Sequence, residues 1–351
     1  MVASYYLLKL PFTLIWHLCR ITGRLLPLVF YCGDYLDYII ARETLAELGK
    51  VTLVAADRRT RAELARYGLS SRLWPVFPAC VIMARHALHK FPVNNIIKIG
   101  LRHGAYHFKE FISAEKYNAF DRFFFTSKQE LNQARSLGIT SGAVGGFPKL
   151  DRAFNGSFSK AYLHDLLSSI GFNDQKPLIL FSATWDKSGM SALDSWYNRL
   201  RELTSHYQIM VTVHPFTSSR YIRSIRNTPD VHFIEDKDIL PYLLLADILI
   251  SDTSSIIAEF CALNKPIITF RIPEGKRYPS ELDQILDAVS IRINSFEELN
   301  KVLADITLRG DSKKEIREYY ANIMFTELNG RHAEIMAAEI RKFLRSEGSP
   351  A

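Results

Sequence analysis

Ala246-Asp-Ile-Leu-Ile-Ser-Asp-Thr-Ser-Ser-Ile-Ile-Ala-Glu-Phe-Cys-Ala-Leu-Asn-Lys-Pro-Ile-Ile-Thr-Phe270 holds, in one stretch, the unit from which the rest of this chain is built. Ile248 to Ile250 reads as a buried strand, Ser251 to Ser255 as a turn of small hydroxyl residues, Ile256 to Leu263 as a helix, and Pro266 to Phe270 as a second buried strand. The turn therefore opens a helix. At such a start the unpaired backbone N–H groups, the positive end of the helix dipole and the hydroxyls of Ser251, Thr253, Ser254 and Ser255 converge where a phosphate would sit, with Asp252 in the same turn. Open α/β sheets keep their ligands at this carboxyl end of a parallel strand. Ser, Thr and Asp are also ordinary capping residues, but one suffices for a cap, and an unbroken row of them favours a ligand.

The same alternation extends from this unit toward both ends. Leu28 to Cys32, Val51 to Ala56, Asn95 to Leu101, Arg122 to Thr126 and Ala143 to Gly145 read as strands. Helices are expected at Tyr35 to Leu48, Arg61 to Tyr67, Ala79 to Lys90 and Lys128 to Ser136. A second series begins with a strand at Pro177 to Ala183 and a helix at Ala192 to His206. It continues with strands at Ile209 to His214 and Val231 to Ile234 around a helix at Arg220 to Arg226. Strands alternating with helices give parallel, doubly wound sheets. The expected fold is α/β and GT-B-like, two Rossmann-like domains facing an interdomain cleft. The domains are residues 28–150, on the acceptor side, and 176–311, on the nucleotide-donor side. Residues 151–175 would link them, and the helices in 312–351 are long enough to cross back to the first domain.

A chain of 351 residues suits two domains. With 48% of residues hydrophobic and 23% charged it has the balance of a globular protein, which excludes disorder. A net charge of +7 suits an acidic partner. Without zinc-finger spacing, an RNP-like aromatic motif or a long Lys/Arg run, no nucleic-acid partner is expected. Cys19, Cys32, Cys80 and Cys261 are far apart in apolar settings and read as thiols of a reducing compartment.

Residues 1–27 form a separate problem. Lys9, His17, Arg20 and Arg24 interrupt the apolar run before it reaches the roughly 20 residues of a membrane span. A helix with Tyr6, Leu7, Leu10, Leu14 and Leu18 along one side fits an element lying on an anionic membrane surface. The same periodicity fits a helix packed on the domain core.

Other strand ends carry chemistry. His103 beside Gly104 ends a strand of the first half, and a histidine titrating near neutral pH can take a proton from an attacking alcohol. Gly145-Gly-Phe-Pro-Lys-Leu-Asp151 is a glycine-proline turn. His214 stands before Pro215 at a strand end, placed to donate to a phosphate or a leaving group, and Glu259 lies one helical turn beyond Ser255. No carboxylate cluster of metal-ligand type appears, so neither metal nor cofactor is expected.

As an ordered set these stretches resemble the CDP-glycerol glycerophosphotransferase family, the teichoic-acid primases and polymerases. The matching residues are His103-Gly104, Gly146-Phe-Pro-Lys-Leu-Asp151, His214-Pro215 and Asp252-Thr-Ser-Ser255 running through to Lys265-Pro-Ile267, with Asn329-Gly-Arg-His-Ala-Glu334 like the family's C-terminal segment. The chain departs from the pattern at Ala105 (Thr in the family), Thr253 (Tyr), Lys149 (Arg) and Lys109, which falls one position late.

The resemblance implies transfer of glycerol phosphate, or a related polyol phosphate, from a CDP-activated donor to a hydroxyl of a membrane-associated glycan or lipid-linked acceptor, with release of CMP. His103 would be the base and His214 its partner at the donor. Ser251 to Ser255 and Glu259 would hold the donor, and Gly104, Lys109, Gly146, Pro148, Lys149 and Asp151 would support the site. It also implies a cytoplasmic protein, peripheral on the inner face of the cell membrane. The alternatives are a nucleotide-sugar glycosyltransferase or epimerase of the GT-B fold, and a non-catalytic membrane-surface module.

Overall fold

A computed structural model describes residues 3–104, 113–272 and 281–347. Their strands form two sheets in which every pairing is parallel. The first contains β1 (Leu26–Cys32), β2 (Thr52–Ala55), β3 (Arg72–Leu73), β4 (Pro78–Met83), β5 (Ile97–Leu101), β6 (Arg122–Phe125) and β7 (Gly142–Val144), in the order β3-β2-β1-β4-β5-β6-β7. The second contains β8 (Leu178–Ala183), β9 (Gln208–Val213), β10 (Val231–Phe233), β11 (Ile248–Ser251), β12 (Ile267–Phe270) and β13 (Ile291–Ile293), in the order β10-β9-β8-β11-β12-β13. Both are doubly wound. The direction of winding reverses between β1 and β4 and again between β8 and β11, and such switch points open a crevice at the carboxyl ends of the strands. The strands β8, β11 and β12 are buried along their whole length, as expected of parallel strands covered on both faces.

The chain divides into two compact units. The first runs to His103, resumes through Asp151 and is completed from Thr326 onward, and the second holds Arg152–Phe325. The stretch expected as a link, 151–175, thus belongs to the second unit from Arg152 on, and its helix Lys160–Ser169 packs against the helix Leu240–Leu245. The C-terminal helices separate as well, Lys314–Met324 lying in the second unit and His332–Ser346 on the first.

Two sequence expectations need correction. The helix expected at Ala79 to Lys90 is instead strand β4 followed by a short 3₁₀ turn, Leu88–Lys90. Val81 and Met83 enter the core on one face of the sheet, and Cys80 and Ile82 the core on the other. A strand apolar on both sides shows no alternation, and a short apolar run does not distinguish it from a buried helix. The helix expected at Ala192 to His206 is broken into Leu193–Trp196 and a 3₁₀ turn, Leu200–Leu203. Leu193, Trp196, Leu200 and Leu203 are all buried, and 3₁₀ geometry also brings residues three apart onto one face.

The N-terminal helix, Ala3–Ile21, has two apolar sides. Phe12 and Trp16 enter the first core, where the Trp16 indole donates to the Pro78 carbonyl at 2.7 Å. Leu10, Leu14, Leu18 and Ile21 are 72%, 70%, 61% and 84% exposed. No helix among the described residues is long and apolar enough to cross a membrane.

Candidate functional site

At the switch point of the second sheet one peptide organises everything around it. The Ala183 carbonyl, at the end of β8, accepts the His214 backbone N–H at 3.3 Å. The next residue, Thr184, donates its N–H to both oxygens of Asp252, at 3.0 and 3.1 Å, and its Oγ1 lies 3.2 Å from Thr253 Oγ1. Thr253 Oγ1 donates to the Met190 carbonyl at 3.1 Å, so between the two hydroxyls it is Thr184 that donates. The ends of β8, β9 and β11 are therefore tied together through residues 183 and 184.

Asp252 does something its place in the sequence does not announce. Its carboxylate is fully buried and accepts N–H bonds from Thr184, from Ala192 at 3.0 Å, from Thr253 at 2.5 Å and from Ser254 at 3.1 Å. Burial pushes its carboxyl up from the ordinary range, against the pull of these donors. Two amides of the turn thus already serve an anion, that of Asp252. Ser251 is buried as well, and its Oγ has no hydrogen-bond partner among the described residues. Thr253 is 7% exposed, Ser254 is half-buried and Ser255 is exposed. Ser255 makes no capping bond to the seven-residue helix Ile256–Ala262 that follows, so its hydroxyl is free of that duty. Glu259, on this helix, is buried at 8% exposure.

The ring of His214 is exposed and oriented. Its Nδ1 accepts the Phe216 N–H at 3.1 Å, so in the neutral ring the proton resides on Nε2. Phe216 and Trp185 lie beside it, with ring centroids 5.1 and 6.4 Å away. Behind Trp185, Asp186 accepts both the N–H and the hydroxyl of Ser218, at 2.8 and 2.6 Å. Burial raises the Asp186 carboxyl, but these two bonds outweigh it and hold the group below its usual range. Thr184, Trp185 and Asp186 were not singled out in the sequence. The signal available was position alone, since the loop after the first strand of a doubly wound unit borders its switch point.

In the first unit His103 follows β5, half-buried. Its predecessor Arg102 is a rigid mooring: the buried guanidinium pairs with Glu130 at 2.7 Å and donates to the Tyr117 hydroxyl at 2.7 Å. At Gly104 an added Cβ meets nothing within 4 Å among the described residues, and Lys109 lies outside the described residues.

The glycine-proline turn acts as a bracket. Asp151 accepts the N–H groups of His332 at 3.1 Å and Ala333 at 2.6 Å, capping the helix His332–Ser346. Gly146 has φ +74°, and a Cβ there would come within 2.3 Å of the His332 ring, so both conformation and contact require glycine. His332 Nε2 meets Thr326 Oγ1 at 2.5 Å. Pro148 is buried and Lys149 half-buried in the same turn. Among the described residues no cluster of His, Cys, Asp and Glu has the arrangement of a metal site.

Comparison with known proteins adds to this geometry. Residues 116–342 match the model of a family described as CDP-glycerol:poly(glycerophosphate) glycerophosphotransferase. The chain is 32% identical over 140 residues to a teichoic acid poly(ribitol-phosphate) polymerase of Bacillus spizizenii, covering 36% of this chain and 21% of that protein. It is 31% identical over 106 residues to a teichoic acid glycerol-phosphate primase of Bacillus subtilis, covering 27% of this chain and 26% of the other. The chain thus spans only about a fifth to a quarter of the length of these relatives. A solved structure of the wall teichoic acid polymerase TagF, soaked with CDPG, superposes with a TM-score of 0.68 at 14% identity, over 98% of this chain and 99% of that one. At that identity the likeness concerns the fold, which is GT-B-like.

Proposed function

Since the chain belongs to the CDP-glycerol:poly(glycerophosphate) glycerophosphotransferase family, we propose that it transfers glycerol phosphate, or a related polyol phosphate, from a CDP-activated donor to an acceptor hydroxyl. The observation that carries this reading is the second switch point, where the backbones of His214, Thr184 and the turn Ser251–Ser255 are tied together through residues 183 and 184, with His214 and Ser255 exposed. They supply directed donors for a pyrophosphate, and such preorganised donors are where phosphoryl transfer gains most. The acceptor oxygen forms a bond to the β-phosphorus as the bond from that phosphorus to the bridging oxygen breaks. The electron pair leaves with CMP. The acceptor proton passes to His103, and the Nε2–H of His214 steadies the charge that develops on the phosphate oxygens.

A donor screen tests this. CDP-glycerol and CDP-ribitol should release CMP in the presence of acceptor, whereas UDP-sugars should release nothing. Release of UDP or UMP without CMP would instead identify a nucleotide-sugar glycosyltransferase or epimerase.

We also propose that the acceptor is a membrane-associated glycan or lipid-linked hydroxyl and that the protein works peripherally on the inner face of the cell membrane. The exposed side chains of Leu10, Leu14, Leu18 and Ile21, with Lys9, Arg20 and Arg24 exposed on the same segment, support this. Replacing Leu10, Leu14 and Leu18 by Ser should abolish sedimentation with anionic vesicles and leave the melting temperature unchanged. Undiminished sedimentation would overturn the reading.

A further inference from the structure

The switch point of the first sheet carries a cation that nothing above uses. Arg85, just after β4, places its Nε 2.6 Å from an oxygen of Asp37, a carboxylate almost wholly buried, while the arginine side chain itself is 50% exposed. The other Asp37 oxygen accepts the N–H groups of Gly33 at 2.8 Å and Asp34 at 3.2 Å, in the loop that follows β1. The guanidinium is thus fixed from behind and open in front, with four of its five N–H donors uncommitted to Asp37. Arginine held in this way suits a phosphate, because its planar fork matches two phosphate oxygens at once.

The neighbouring strand end adds to it. The helix Arg58–Arg66 follows β2, and its Thr60 hydroxyl donates to the Gly33 carbonyl at 3.3 Å, so this helix start touches the same loop as Arg85. Arg58, Arg59 and Arg61 are exposed and form no ion pair among the described residues. The strands β2 and β4 flank β1, and two strand spacings are roughly 10 Å, within reach of arginine side chains. Acidic residues are present too. Asp34 and Asp57 bond backbone N–H groups as helix caps, and Glu63 is half-buried.

We propose that Arg85, flanked by Arg58, Arg59 and Arg61, is the site that holds a phosphate of the acceptor. This rests on the reading that the chain is a polyol-phosphate transferase. The phosphate belongs either to a polyol-phosphodiester chain or to the pyrophosphate link of a lipid carrier. A membrane surface fits the arginines less well. They stand at the carboxyl ends of the strands, whereas the exposed leucines belong to the helix whose Trp16 bonds Pro78, at the opposite end of β4.

The test uses the full chain and two soluble probes, a fluorescent tri(glycerol phosphate) and an uncharged triglycerol of equal length. The charged probe should bind, more weakly as salt rises, and the uncharged one should not. Arg85→Gln leaves a buried carboxylate without its cation, so it is paired with the double variant Asp37→Asn/Arg85→Gln, in which both charges are gone. Either should weaken binding of the charged probe about tenfold or more, the equivalent of one charge-assisted hydrogen bond. Arg58→Ala/Arg61→Ala should weaken it by a smaller factor. Calorimetric affinity for CDP-glycerol should stay the same in every variant. A polyprenyl pyrophosphate in detergent, competing with the charged probe, would assign the phosphate to the lipid link, and failure to compete would assign it to the chain. Equal probe affinity in wild type and the double variant overturns the proposal. So does loss of binding to anionic vesicles while probe affinity is retained. Absence of CMP release from CDP-glycerol by wild type, with the probe still bound through Arg85, would remove the transferase reading and leave a phosphate-binding site.

Discussion

At the point where the first sheet reverses its winding, a buried carboxylate faces a cation. At the same point of the second sheet, a buried carboxylate faces a ring of backbone N–H groups. Asp37 takes two N–H groups and the Arg85 guanidinium, and Asp252 takes the N–H groups of Thr184, Ala192, Thr253 and Ser254. The first arrangement presents charge to the solvent, which acts over a distance and tolerates variation in where a phosphate lies. The second consumes its carboxylate internally and so fixes the shape of a loop and a turn, leaving hydroxyls and one imidazole as short-range, directional donors. A ligand of variable length suits the first edge, and one of fixed geometry suits the second.

The contrast can be broken first by removing the carboxylates. Asp252→Ala leaves four backbone N–H groups without their acceptor, and at roughly 1 to 3 kcal/mol for each buried orphan the second unit should lose about 4 kcal/mol or more of stability. Asp37→Ala orphans two N–H groups and frees an arginine that is already half in water, so its cost should be about half as large. Chemical denaturation measures both, and equal losses would show that the two carboxylates do the same work.

Next in size are the histidines. His103→Ala should lower turnover by about 100-fold and spare donor affinity, because its proton is taken only as the bond forms. His214→Ala should harm donor affinity as well. Single-turnover kinetics with calorimetry separates these, and mild, equal effects would remove both assignments. Ser255→Ala should then weaken donor binding about tenfold, the loss of one charge-assisted hydrogen bond, with no change in acceptor KM.

The smallest effect per step of the variable changed is a titration. Lys265 donates to the carbonyls of Leu244 and Ala246 at the end of a helix, and its burial pulls its pKa from 10.5 to about 8. Between those values the unfolded chain holds more protons than the folded one, so stability should rise with pH, by at most about 1.4 kcal/mol per pH unit. The first unit has a counterpart in His86, which burial, and secondarily Arg102, brings down to about 4, so its contribution should be lost as pH falls from 6.5 toward that value. Lys265→Met should flatten only the alkaline limb, as read from denaturation midpoints across pH.

The parallel sheets were legible because helical and strand periods alternate clearly along most of the chain. The reading failed at β4, where an apolar residue faces each core and no period survives. In the turn Ser251–Ser255 the residue types pointed to a site, but sequence treated all five as equal. Which hydroxyls stay available depends on Thr184 and Ala192, some 60 residues earlier, whose N–H groups engage Asp252. The N-terminal segment allowed a core helix or a surface helix. The structure has Phe12 and Trp16 in the core on one side and the leucines exposed on another, so packing on the core accounts for one face of the helix and not for the other.

The bracket formed by Gly146, Asp151 and His332 has a consequence for how the protein is made. Met336, Ile340 and Leu344 cover a core containing Phe30, Ile39, Ile82 and Phe124, all translated long before them. On the ribosome the first sheet therefore waits, with one apolar face covered only in part by the helices Tyr35–Leu48 and Arg58–Arg66, while the whole of Arg152–Phe325 is synthesised. The second unit can close during that interval, and the first becomes complete only when the helix His332–Ser346 emerges and Asp151 caps it. The unit begun first is finished last, and a chaperone that shields one half-built sheet would meet this protein at that stage.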